Sequence, residues 1–132
     1  MRISKFEDIK TWNEAKILVN MVYDLTDKPL FKKDYGLRDQ IQRAAVSSMS
    51  NIAEGFDGGS NSQFIQYLIY SRRSSSEIQS LLYVALDRKY IIQKEFDEVY
   101  EQAKKVGKLL NGFIKYLKQQ KVTGQLVNRL TG

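Results

Sequence analysis

The 132-residue chain contains no cysteine and no histidine. The first absence removes disulfides and thiolate nucleophiles; the second removes the imidazole that moves protons near neutral pH, and together they exclude the usual zinc sites. Proline occurs once, at Pro29, and glycine eight times. A β-sandwich of this size needs many turn residues and an α/β fold needs glycine-rich crossovers, so the scarcity points to a few long helices. No apolar run approaches the ~18 residues that a membrane span requires. The opening Met1–Lys10 has no apolar stretch and carries Glu7 and Asp8, so it does not read as a secretory signal, and a cytoplasmic protein is expected. Carboxylates, lysine, tyrosine and serine are what remains for chemistry. A non-enzymatic protein is expected, with no catalytic residue, no cofactor, no metal and no small-molecule substrate.

What is present is a normal globular balance, 42% apolar and 27% charged. The formal charge is +6, and its distribution matters more than its total. Residues 102–132 hold Lys104, Lys105, Lys108, Lys115, Lys118, Lys121 and Arg129 and no acid. A concentrated positive end suits a polyanion, because Lys/Arg contacts with phosphates release counterions. The same lysines would also suit a solvated helix C-terminus, where cations complement the helix dipole.

Apolar spacing predicts four helices. In the first, Asp8 is the expected N-cap of a pattern Ile9, Trp12, Ala15, Val19, Val22 and Tyr23, which stops at Pro29 and gives way to a polar link. The second begins near Tyr35–Leu37, buries Leu37, Ile41, Ala44, Ala45, Ser48 and Ile52, and is expected to end with Gly55 just past its C-cap. After the loop 57–61, Ser62 is the expected cap of a third helix to about Lys89, with the seam Phe64, Leu68, Ser71, Ser75, Ile78, Leu82 and Ala85. The fourth carries Phe96, Val99, Ala103, Val106, Leu110, Phe113 and Leu117 at unbroken steps of three and four. Short links make neighbours antiparallel, so the expected fold is all-α, an antiparallel four-helix bundle over residues 1–118 with a basic tail over 119–132.

The third helix has more apolar surface than a bundle seam uses. Ile65, Ile69, Tyr83 and Leu86 are the candidates for a subunit interface, which makes a homo-oligomer the expected state. Between the apolar ends lie Arg72 and Arg73; Glu77, four residues on, is the expected partner of Arg73. Arg72 has no such partner and would either meet an acid of the next subunit or, repeated by symmetry around an opening, attract phosphate.

On the second helix Gln40, Arg43, Ser47, Asn51 and Glu54 form one polar stripe, which Ser74 and Glu77 of the third could face. The stripe reads as an inter-helix hydrogen-bond network, with a binding groove for phosphate or a partner as the other possibility. It is not a catalytic pair: Arg43 and Glu54 stand about 16 Å apart along the axis. Glu54 and Glu77 would meet across helices only as bare carboxylates, because a di-iron bundle needs histidines that are absent.

The string Gln40-x-x-Arg43-Ala44-x-x-Ser47 followed by Asn51-Ile52-Ala53-Glu54-Gly55 closely resembles the signature of the 23S ribosomal RNA intervening-sequence proteins. Phe6–Trp12, Tyr35-Gly36-Leu37, Tyr67-Leu68, Ser74 and Glu77 extend the resemblance over most of the chain. It implies a homopentamer with a central opening. The resemblance also implies a fold similar to that of the accessory protein of diversity-generating retroelements, a bundle that binds nucleic acid and a reverse transcriptase. The expected function is therefore nucleic-acid binding, RNA foremost, through phosphates at Arg72, Lys104, Lys105, Lys108, Lys115, Lys118 and Lys121. The alternative is a scaffold that docks an acidic protein or a reverse transcriptase-type enzyme.

Overall fold

The computed structural model describes residues 3–123, with side chains as far as Gln120. A short 3-10 turn, Phe6–Asp8, leads into α1 (Lys10–Thr26), α2 (Pro29–Lys33), α3 (Tyr35–Asp57), α4 (Asn61–Asp87) and α5 (Gln93–Thr123). The described residues are helical with no strand, as the scarcity of turn residues predicts. Among the described residues there are five α-helices, however, because the expected polar link folds. Pro29 sits at the first position of α2, where its missing N–H costs nothing, and Phe31 is fully buried against Tyr90 at 5.4 Å between ring centroids.

The helix boundaries differ from expectation for local reasons. Asp8 does not cap α1; its carboxylate turns back to accept from the Ser4 N–H at 3.1 Å, and this contact holds its pKa below the usual range. Ser60, not Ser62, caps α4 by accepting from the Gln63 N–H at 3.1 Å. Asp34 caps α3 through the Leu37 N–H at 3.1 Å and takes the Tyr90 hydroxyl at 2.9 Å on its other oxygen. Gly55 is no C-terminal residue: α3 runs on to Asp57, and the left-handed position falls at Gly59, with φ +89°. α4 ends with Lys89 at φ 62°, its N–H donating to Leu86 and the next N–H, of Tyr90, to Ala85. α5 continues to Thr123, past the expected bundle edge at 118; the rest of the expected tail, where Gly124 reads as a break and Leu126, Val127 and Leu130 as anchors, lies outside the described residues.

α3 packs on α1 and on α4, and α5 closes the circuit by packing on both α4 and α1. Paired residues run in opposite directions: Gln40 meets Glu77 and Ser47 meets Ser74, while Arg72 meets Asn111 and Tyr83 meets Phe96. The two expected seams are buried almost whole. Leu68, Ile78, Leu82, Leu110 and Leu117 are inaccessible, and only Phe113 is half-buried, with Ile114 taking its place in the core. No helix among the described residues is long and apolar enough to cross a membrane.

Candidate nucleic-acid interface

Small side chains set how closely α3 and α4 approach. The buried Ser71 hydroxyl donates to the Ser48 carbonyl across the seam, and Ser48 donates to Ala45 at 2.7 Å within its own helix. Next to them Ser74 donates to the Ser47 hydroxyl at 2.9 Å, which also receives Asn51 at 2.8 Å. At the end of the stripe Gln40 donates to Glu77 at 3.2 Å. Gln40, Ser47, Asn51, Ser74 and Glu77 therefore make a hydrogen-bonded ladder between two helices, buried in its middle and wet at its end. Arg43 and Glu54 are exposed and take no part in it. Arg43 instead lines a depression between α1 and α3 with Tyr23, Asp39 and Val46.

Two expectations about acids fail here. Glu77 is taken by Gln40, so it does not pair with Arg73, which forms no ion pair among the described residues. Glu54 and Glu77 do not meet either. Glu77 lies opposite Gln40, fourteen residues before Glu54 on α3 and so about 21 Å away along the axis. No group of three or more acidic residues among the described ones is placed to hold a metal ion.

The other side of α4 is different. Between α4 and α5 runs an open groove whose walls carry Arg72 and Arg73 from one helix and Lys104, Lys108, Lys115 and Lys118 from the other, with no carboxylate in its lining. The four lysines are exposed and Arg72 is half-buried. Arg72 does have a partner, which the sequence reading missed: its Nη1 donates to Asn111 Oδ1 at 2.8 Å, a neutral acceptor that fixes the guanidinium without cancelling its charge. Asn111 was legible in principle, since Lys104, Lys108, Asn111, Lys115 and Lys118 fall on one face at steps of four and three. Gly107 forms part of the floor, beside Ser75.

Not every basic candidate reaches this groove. Lys105 faces α1 and pairs with Glu14 at 3.1 Å, while Gln102 donates to the same carboxylate at 3.0 Å. These donors, Gln102 first and then Lys105, hold the Glu14 pKa below the usual carboxylate range. The Lys121 side chain lies outside the described residues. The depression where α1 meets the start of α3 is also polar, but Asp24 and Asp27 balance Lys32 and Arg38 there. The α4–α5 groove thus concentrates cations with nothing to neutralise them, an arrangement suited to phosphates.

The apolar surplus on α4 is largely consumed inside the chain. Ile65 is only 8% exposed, and Ile69 and Leu86 are half-buried against the core. Of the four interface candidates Tyr83 alone is exposed, together with Tyr70 and Val84 on the same helix.

Compared with known proteins, residues 7–112 match the model of a family described as 23S rRNA-intervening sequence protein. The fold is similar to the crystal structure of a protein of unknown function from the S23 ribosomal protein family of Bacteroides thetaiotaomicron VPI-5482. The TM-score is 0.68 at 24% identity, over 80% of this chain and 92% of that one. No curated protein matches.

Proposed function

Because the chain belongs to the 23S rRNA-intervening sequence protein family, we propose that it is a non-enzymatic cytoplasmic bundle protein that binds nucleic acid through backbone phosphates. The observation that carries this reading is the α4–α5 groove, lined by six Lys and Arg side chains and no acid. In this reading the unit is an antiparallel four-helix bundle that self-assembles into a ring-like homopentamer. The exposed Tyr70 and Val84 of α4 support self-association, and light scattering on the purified protein should give several times 15.3 kDa. A monomer at micromolar concentration overturns that part.

The groove itself is tested by salt. Replacing Lys104, Lys108, Lys115 and Lys118 with Gln should flatten the slope of log affinity against log salt by up to about 3, at roughly 0.7–0.9 per phosphate contact. The four are exposed, so each replacement should change stability by no more than about 0.5 kcal/mol. An unchanged slope returns the lysines to solvation. Tighter binding of polyglutamate than of RNA would favour an acidic protein as the partner.

A further inference from the structure

The groove does not stop at its cations. Four residues after Gln79 on α4 comes Tyr83, and four residues before Lys104 on α5 comes Tyr100. Each ring therefore lies about 6 Å farther along its own helix than the last groove residue and on nearly the same face. The two walls continue, toward the turn between α4 and α5, from charged to aromatic.

Tyr83 is 52% exposed, yet it is held. Its ring meets Phe96 edge-on with centroids 4.9 Å apart and meets Tyr100 at 6.1 Å and 81°. Phe96, itself buried, stacks on Tyr100 at 5.3 Å. The cluster presents an anchored ring with half its surface in water, and the Tyr83 hydroxyl has no hydrogen-bond partner among the described residues. Acids return just past Lys104, at Glu101 beside Tyr100, and continue past the rings at Asp97 of α5 and Asp87 of α4, all exposed. A chain of phosphates would be attracted as far as Lys104 and repelled past it, so what reaches Tyr83 is something uncharged at the end of a polyanion.

A nucleobase fits that description, provided it is not already stacked inside a duplex. Binding of single strands combines a positive groove along the backbone with aromatic rings under the bases. Building on the phosphate-binding reading above, we infer that the groove takes single-stranded nucleic acid, with phosphates along Arg72, Lys104 and Lys108 and one base stacked on Tyr83. A second copy packed groove to groove would bring its own unneutralised cations to the same place, which charge disfavours.

The test compares a short unstructured RNA strand with its duplex, by fluorescence anisotropy on the full chain, for the natural protein, Tyr83→Leu and Tyr83→Trp. Leucine keeps the apolar contact with Phe96 and removes the stacking face, whereas tryptophan restores a ring. The expected result is about a tenfold or greater loss of single-strand affinity in Tyr83→Leu. Duplex affinity should not change, and Tyr83→Trp should bind at or near the natural level. A 2-aminopurine base in the strand should be quenched by the natural protein and by Tyr83→Trp, but not by Tyr83→Leu. Equal single-strand affinity in all three proteins, with the salt slope intact, overturns the stacking site and leaves the phosphate reading standing. Loss of the oligomer in Tyr83→Leu without loss of single-strand affinity also overturns it, since Tyr83 then belongs to a subunit contact. Absence of salt-dependent binding to either probe overturns the phosphate reading itself.

Discussion

Against α3, helix α4 presents Ser71, Ser74 and Tyr67; against α5 it presents Arg72, Gln79 and Tyr83. Both sides face a glycine. On the α3 side a Cβ at Gly55 would stand 2.7 Å from Tyr67 Cβ and 2.9 Å from Phe64 Cδ1, so the backbones touch and no methyl fits. On the α5 side a Cβ at Gly107 would meet only the Ser75 hydroxyl, at an ordinary 3.5 Å. Close approach excludes water and lets serine hydroxyls satisfy carbonyls of the neighbouring helix, which makes a seam. The looser approach leaves long cationic side chains in water with no acid to hold them, which makes a groove. Glycine and serine serve adhesion on one side and open space on the other, and the neighbour decides which.

The comparison is broken or upheld most sharply by alanine at the two glycines. Gly55→Ala should cost about 1–3 kcal/mol from overpacking, read as a lower denaturant midpoint at unchanged slope. An unchanged midpoint would mean that the seam is loose and the contrast false. Gly107→Ala should have the opposite sign. Glycine inside a helix is about 1 kcal/mol worse than alanine, so this variant should melt some 4 °C or so higher. Destabilisation instead would mean that the groove floor is packed as tightly as the seam.

Acid separates the two faces of α5. Toward α1, Glu14 is held by Gln102 and Lys105, and Glu95 accepts from Lys28 at 2.8 Å and from the Ile92 N–H at 2.9 Å. Both carboxyls are pushed below their ordinary range, Glu95 by Lys28 first and then by the Ile92 N–H. Groups with depressed folded pKa values contribute fully above the unfolded value, near pH 4.3, and lose that contribution as the pH falls through the lower folded value. Both pairs are partly exposed, so each should be worth no more than about 1 kcal/mol. The Glu14→Gln, Glu95→Gln double variant should therefore be slightly less stable at pH 7 and flatter in its stability profile below about pH 4.3. The α4–α5 groove holds no carboxylate, so its charge should not change over that range. An acid profile identical to that of the natural chain would show that the Glu14 and Glu95 contacts contribute nothing.

Smallest of all should be the effect of Lys89→Gly. Lys89 occupies the left-handed position at the end of α4, at φ 62°, where a side chain is strained and glycine is not. A gain of a few tenths of a kcal/mol up to about 1 kcal/mol is expected in thermal melts. A loss would mean that the lysine side chain contributes more than its backbone strain costs.

Much of this was legible in the chain. The seams of α4 and α5 emerged residue by residue from spacing, because a helix that buries one face must repeat apolar residues every three or four positions. The serine ladder was foreshadowed by Ser47, Ser74 and the stripe around them, since small polar residues amid a core need partners on the next helix. Less was legible at the ends. Asp8 and Ser62 were plausible caps, but Ser4 and Ser60 decided otherwise, because capping depends on which short side chain meets a free N–H in space. The α2 turn was hidden by its lysines, and its single buried residue, Phe31, shows only once Tyr90 is beside it.

By itself the sequence determined that the protein is helical, that its helices carry these seams, and that its positive charge collects over residues 102–132. Those properties follow from periodicity, punctuation and composition, which are local. The tertiary structure alone decided which cations remain free. It turned Lys105 to Glu14, gave Glu77 to Gln40, set Arg72 against Asn111 and left Lys104, Lys108, Lys115 and Lys118 facing the same groove. A charge is available to a ligand only if no opposite charge within the fold reaches it first, and partners contributed by other helices have no fixed separation along the chain.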